Sequence, residues 1–139
     1  MSARPASIFV VEDNEPDLIL IREALRITGV PCEITHFKDG ADALAGLERS
    51  GNNGAPVPDL IFLDLNIPKI AGIDVLVRAR SMAALRKVPI VILTSSPSPQ
   101  DRSQSLGLGA TSYVTKPFEL NAFLTVVGDT AAHLLSKSG

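Results

Sequence analysis

The chain has 139 residues, 45% of them apolar and 4% aromatic, with 13 Lys and Arg against 15 Asp and Glu for a formal charge of -2. That length and apolar content suit one domain with one core, and no apolar run approaches the roughly 18 residues of a membrane span. Interspersed charges and scarce aromatics exclude a nucleic-acid face, a lone cysteine (Cys32) excludes disulfides and Cys-rich zinc sites, and no signal-like segment leads the chain, so the expected location is cytoplasmic.

Residues 1–7 read as a tail, 8–135 as the domain and 136–139 as a second tail. The first strand is predicted at 8–12 (IFVVE). Asn14 then has the character of an N-cap, with Pro16 in the first turn and Asp17 near the positive helix end. This helix runs to about residue 28, with Leu18, Ile21 and Leu25 on one face and Gly29 as its stop. A second strand at 32–37, opening on Cys32 as a small buried hydrophobe, leads through Asp39-Gly40 to a helix over 41–49. The run SGNNGAPVP (50–58) is loop, too polar and turn-rich to pack.

The third strand, 60–63, delivers Asp64, and after NIPKI and Gly72 the pattern predicts a helix over 73–86. The fourth strand is 89–94 (PIVILT). Ser98, Pro99, Gln100 and Asp101 form a capping-box pattern opening a short helix that ends near Gly107. With Leu106 almost its only apolar residue, that helix should be weakly held. A fifth strand at 112–115 precedes a helix over 119–135, with Leu120, Phe123, Leu124, Val127 and Leu134 at helical spacing.

Regular strand-helix alternation with short apolar strands predicts an α/β fold, a doubly wound parallel sheet covered by helices on both faces. The functional crevice of such sheets lies beyond the carboxyl ends of the strands. Those ends carry Glu12 and Asp13, Asp64, Thr94 and Lys116. Carboxylates gathered at one rim repel one another, and a hard divalent cation resolves the conflict. Mg²⁺ fits the oxygen donors, with Asp13 and Asp64 as direct ligands and Glu12 acting through water. A carboxylate already ionised at neutral pH can attack phosphorus, with Mg²⁺, the Lys116 ammonium and the Thr94 hydroxyl sharing the phosphoryl charge.

Four motifs in order, VVEDN, FLDLNIPKIAG, VILTSS and YVTKPF, resemble a response-regulator receiver domain over residues 8–127. The long loop and SSPSP resemble single-domain regulators that partner phytochrome-type sensor kinases. The resemblance implies a flavodoxin-like (βα)5 sheet in the order 2-1-3-4-5 and a phosphoacceptor signalling protein that catalyses only its own phosphorylation and dephosphorylation. It implies Asp64 as phosphoacceptor, Asp13 and the backbone carbonyl of Asn66 as metal ligands, Thr94 and Lys116 on the phosphoryl group, and Tyr113 as switch aromatic. It further implies a cis Lys116-Pro117 bond, and Asn66 and Ser96 flanking the path of the hydrolytic water. Glu12 stands where many members carry Asp. The implied partners are a sensor histidine kinase and either a second copy, through the fourth helix, fifth strand and last helix, or a downstream protein, including one that receives the phosphoryl group. No stretch is left for an effector domain, so a stand-alone regulator is expected.

Each residue has a plainer reading: Asp64 as a turn or cap residue, Glu12 and Asp13 as a solvated strand exit, Thr94 as a β-branched strand residue, Lys116 as a surface lysine, Tyr113 as a half-buried aromatic. Their joint placement at strand ends favours the site. His36 and His133 lack ligand spacing, and GLGAT (107–111) lacks the third glycine and the preceding strand of a dinucleotide fingerprint. An aspartate-nucleophile phosphatase needs an acid two residues after the nucleophile, where this chain has Asn66. A binding module of the same fold without phosphorylation is disfavoured by the intact acidic pair, Asp64, Thr94 and Lys116.

Overall fold

Leu60, Ile61, Phe62 and Leu63 are all buried, the pattern of a strand covered on both faces. In the computed structural model, which describes residues 4–52 and 55–137, they form β3 (Leu60–Leu63) at the centre of a five-stranded sheet. Its companions are β1 (Ala6–Val11), β2 (Cys32–Phe37), β4 (Ile90–Thr94) and β5 (Ser112–Thr115), all parallel, in the order β2-β1-β3-β4-β5. The helices are α1 (Glu15–Ile27), α2 (Gly40–Arg49), α3 (Gly72–Ser81), α4 (Pro99–Gly107) and α5 (Leu120–Lys137). The expected doubly wound architecture and strand order are therefore present.

Strand alternation divides the core in two. Leu60 and Phe62 join Ile8, Val10, Val91 and Leu93 against Leu18, Ile21 and Leu25 of α1 and Phe123 and Val127 of α5. Ile61 and Leu63 face the other way with Ile90 and Ile92, against Leu44 and Leu47 of α2 and Val75 and Leu76 of α3. The start signals act as predicted at α1 and α4: Asn14 Oδ1 accepts from Asp17 N at 2.9 Å, and Ser98 Oγ from Asp101 N at 3.2 Å. Asp39 similarly caps α2, accepting from Asp42 N at 2.7 Å. Among the described residues no helix is long and apolar enough to cross a membrane.

Several boundaries differ from expectation. Ala6 and Ser7 belong to β1, because Ala6 pairs with Cys32 and Ser7 N donates to Asp59 Oδ2 at 2.7 Å. Helix α5 extends through Lys137, two residues past the expected helix end, while residues 1–3, 138 and 139 of the expected tails lie outside the described residues. The predicted helix over 73–86 stops at Ser81, and Met82 turns extended before a 3₁₀ turn, Ala83–Leu85. Arg80 accounts for the break: its guanidinium donates to the carbonyls of Leu85 and Val88, both at 2.8 Å, and of Gly109 at 2.8 Å. These bonds tie the segment after α3 back onto Arg80, and Leu85 and Val88 are buried there.

In the 50–58 loop, residues 53 and 54 lie outside the described residues, but Ser50 and Pro58 are buried and Val57 packs on the core. Cys32 is half-buried rather than buried, its thiol donating to Val30 O at 3.1 Å. On α5, Leu120 is exposed and Ala131 takes an inward position.

Candidate functional site

Backbone pairing continues one residue past the strands and thereby aims the acidic side chains. Glu12 N donates to Phe37 O at 2.9 Å, and Asp64 N donates to Val11 O at 3.0 Å. Lys116 N donates to Thr94 O at 2.7 Å, bringing the ends of β4 and β5 into register. Glu12, Asp64 and Thr94 are all buried, whereas Asp13 is exposed. The four strand ends named from the sequence thus meet at one rim.

At its centre stands Lys116. Its Nζ lies 2.8 Å from Glu12 Oε1, 2.7 Å from Asp17 Oδ2 and 2.8 Å from Asp64 Oδ2. Burial alone would favour the neutral amine, but hydrogen bonds to Asp17, Asp64 and Glu12 overcome it and hold the ammonium well above its ordinary range. Glu12 moves the other way. Burial, reinforced by the Asp64 charge, pushes its carboxyl up to about 7 against the opposing pull of Lys116. The Glu12 backbone is also held, its carbonyl 2.6 Å from His36 Nε2, which gives His36 a structural role.

Glu12, Asp13 and Asp64 each present a carboxylate oxygen, and these three atoms lie within 4.8 Å of one another. It is the cluster of potential metal-ligating side chains found among the described residues. A convergent set of hard oxygen donors fits Mg²⁺ or Mn²⁺ and disfavours softer metals. Asn66 N donates to Asp64 Oδ1 at 3.0 Å, which places residue 66 beside the same carboxylate. The loop behind it leaves no slack. A Cβ at Gly72 would stand 2.3 Å from Asp64 O and 2.6 Å from Leu65 Cα. Lys69 adopts φ 72°, an uncommon value for a residue with a side chain, as the chain turns back toward α3.

The opposite wall is the loop from β4 to α4. Thr94 Oγ1 lies 3.5 Å from both Asn66 Nδ2 and Ser96 N, long contacts that leave the hydroxyl loosely held. Ser96 is a junction. Its carbonyl accepts from Tyr113 Oη at 2.8 Å, and its Oγ donates to Asp101 Oδ2 at 2.6 Å. Tyr113 is buried rather than half-buried, with Arg102 5.8 Å over its ring and Arg102 Nη1 donating to its carbonyl at 3.1 Å. Helix α4 buries Ser105, whose Oγ has no hydrogen-bond partner, and leaves Leu106 exposed. The expected weak attachment of this helix follows from what it buries.

The Lys116-Pro117 bond departs from expectation: no cis peptide bond occurs among the described residues. Trans is the lower-energy form of such bonds by about 0.5–1 kcal/mol, and with it Lys116 already reaches all three carboxylates. Phe118, two residues on, is fully exposed. The sequence reading also missed three partners: Asp17 on Lys116, Asp101 on Ser96 and Arg102 on Tyr113. Spacing gave no signal for the first, since Asp13 precedes the N-cap Asn14 and only Asp17 lies on α1.

A family model described as the response regulator receiver domain matches residues 8–128. The response regulator Rcp1 of Synechocystis sp. is 35% identical over 124 residues, covering 88% of this chain and 84% of Rcp1. Among solved structures, the phosphorylated cyanobacterial phytochrome response regulator RcpA is similar with a TM-score of 0.88 at 38% identity, over 96% of each chain. The Mn²⁺-bound form of Rcp1 is similar with a TM-score of 0.86 at 33% identity, over 94% of this chain and 95% of that one. With acidic strand ends, a half-buried lysine and a matching sheet all in their places, this chain belongs to the response-regulator receiver domains, the signalling switches of two-component systems.

Proposed function

We propose that Asp64 accepts a phosphoryl group from a sensor histidine kinase in a Mg²⁺-dependent reaction and that the chain acts as a stand-alone cytoplasmic regulator. The observation that carries this is the position of Asp64, buried yet joined to Lys116 Nζ at 2.8 Å and to the Glu12 and Asp13 carboxylates within 4.8 Å. A carboxylate oxygen of Asp64 forms the new P–O bond as the P–N bond of a phosphohistidine breaks, and the imidazole leaves with its proton. Glu12, Asp13, Asp64 and the backbone carbonyl of Asn66 would hold the metal, which when bound neutralises charge on the phosphoryl oxygens. Lys116 adds its ammonium to that task, and the loosely held Thr94 hydroxyl is free to turn toward the new group.

The added charge of about -1.5 to -2 biases the wall opposite. As Thr94 turns in, Tyr113 gives up Ser96 O and rotates, and α4 repacks, since it buries little and holds an unpaired hydroxyl. The α4-β5-α5 surface then contacts a second copy or a downstream protein. Asn66 and Ser96 tune the lifetime of the phosphoryl state, and the chain acts on no other substrate. Similarity to the phytochrome response regulator RcpA supports a phytochrome-type kinase as donor.

The test uses Mg²⁺ and acetyl phosphate with intact-mass detection. A stoichiometric adduct, stable in acid, labile in base and lost in Asp64→Asn, is expected. Adduct formation unchanged in Asp64→Asn would remove Asp64 from its role, and multiple turnover of an unrelated phosphomonoester would indicate a phosphatase instead.

A further inference from the structure

We infer that Asp17 is a positioning residue that anchors Lys116 toward Asp64 throughout the phosphorylation reaction, an inference that rests on the role proposed above for Asp64. The Lys116 ammonium has three N–H donors, and it meets three carboxylate oxygens, on Glu12, Asp17 and Asp64, at 2.7 to 2.8 Å. Two of these partners have other obligations. Glu12 and Asp64 belong with Asp13 to the cluster suited to a cation, and Asp64 carries the bond to phosphorus. Asp17 lies outside that cluster. It is therefore the one partner whose claim on Lys116 is the same before and after metal and phosphoryl group arrive.

The anchor sits on rigid ground. Asp17 N is fixed by Asn14 Oδ1 at 2.9 Å, and the neighbouring Leu18 packs into the core beneath α1. The carboxylate itself is partly shielded, at 26% exposure, while the Lys116 side chain is only 9% exposed. A long, flexible lysine stem held at one point by a helix-borne carboxylate keeps its remaining donors directed at the reacting oxygens. When Glu12 turns to the metal, the donor it releases becomes available to the phosphoryl group, and the bond to Asp17 stays.

Two plainer roles would behave differently. If Asp17 served only the positive end of α1, its loss would lower stability and leave the reaction rate alone. Were it only a nearby negative charge, its loss would ease the arrival of an anion and speed the reaction.

Full-length wild type, Asp17→Ala and Asp17→Asn are compared for the rate of adduct formation from acetyl phosphate at saturating Mg²⁺, with Mg²⁺ affinity measured by calorimetry. The expected result is a rate about tenfold lower in Asp17→Ala. Asp17→Asn, which retains an oxygen acceptor, should fall between, and both should bind Mg²⁺ as wild type does. The ¹³Cε signals of Lys116 should move toward averaged values in Asp17→Ala. If Asp17→Ala fails to fold, the slowed rate of Asp17→Asn carries the test. Rates at or above wild type, or a loss that merely tracks weakened Mg²⁺ binding, overturn the anchor. A wild type that takes no adduct overturns the role of Asp64 itself, a failure visible before any Asp17 variant is compared.

Discussion

Lys116 Nζ and Glu12 Oε1 lie 2.8 Å apart on side chains that are 9% and 2% exposed. Removing one member of such a pair leaves the other charge buried without a partner. Lys116→Ala should therefore destabilise the metal-free protein by about 3–5 kcal/mol. Mg²⁺ should recover part of the loss by balancing Glu12 and Asp64. Chemical denaturation in EDTA and in Mg²⁺ would check both statements, and equal losses in the two buffers would contradict the second.

Glu12 gives the metal-free protein a characteristic pH dependence. Its carboxyl titrates near 4.5 when unfolded and about 7 when folded, so between these values the folded chain holds a proton that the unfolded chain has released. Stability should fall as pH rises through this window and level off above it. Lys116 stays charged throughout, since its hydrogen-bonded ammonium is held above its ordinary range. Glu12→Gln should flatten the profile and exceed wild type above neutrality in EDTA, by on the order of 3 kcal/mol. Parallel profiles for the two proteins would remove Glu12 as the cause.

Gly72 is set against the backbone of Asp64, with space for no Cβ: the nearest atom would be Asp64 O at 2.3 Å. Backbone cannot yield as a flexible side chain can, so Gly72→Ala should cost about 1–3 kcal/mol. It should also displace Asp64 and weaken Mg²⁺ binding. Gly107, where a Cβ would meet nothing within 4 Å, is the control, and Gly107→Ala should leave Mg²⁺ binding unchanged. Calorimetric titration of both variants distinguishes a local push from a general glycine effect.

Tyr113 Oη donates to Ser96 O at 2.8 Å from a buried ring. Tyr113→Phe should destabilise the unphosphorylated protein by about 1 kcal/mol. Thermal or urea unfolding reads this directly, and an unchanged midpoint would show that the hydroxyl contributes nothing to holding the ring inward.

Ser105 should respond in the opposite direction. Its buried Oγ has no partner, so Ser105→Ala removes a desolvated hydroxyl and adds a better helix former. A gain of about 1 kcal/mol is expected. Urea unfolding should show a raised midpoint with unchanged slope. A lowered midpoint would mean that the hydroxyl is satisfied in solution.

Much of this protein was legible in one dimension because its signals are local. Continuous apolar runs mark buried parallel strands, Asn14 and Ser98 cap where their neighbours require it, and a residue at a strand end must lie on the sheet's rim. Glu12, Asp13, Asp64, Thr94 and Lys116 each end or follow a strand and so share the rim, and the motifs they form mark the family. Its failures share a cause. The end of α3 depends on Arg80 reaching Gly109, which is remote in sequence.

What the sequence by itself determined is which residues reach the rim, since strand ends and caps follow from composition and period. What only the tertiary structure decided is how their charges are shared. Lys116 finds Asp17 across 99 residues, Ser96 is claimed by Asp101, Ser105 is buried without a partner, and the carboxyl of Glu12 is raised by burial. Pairing and desolvation depend on distance and enclosure in space, which no spacing along a chain encodes.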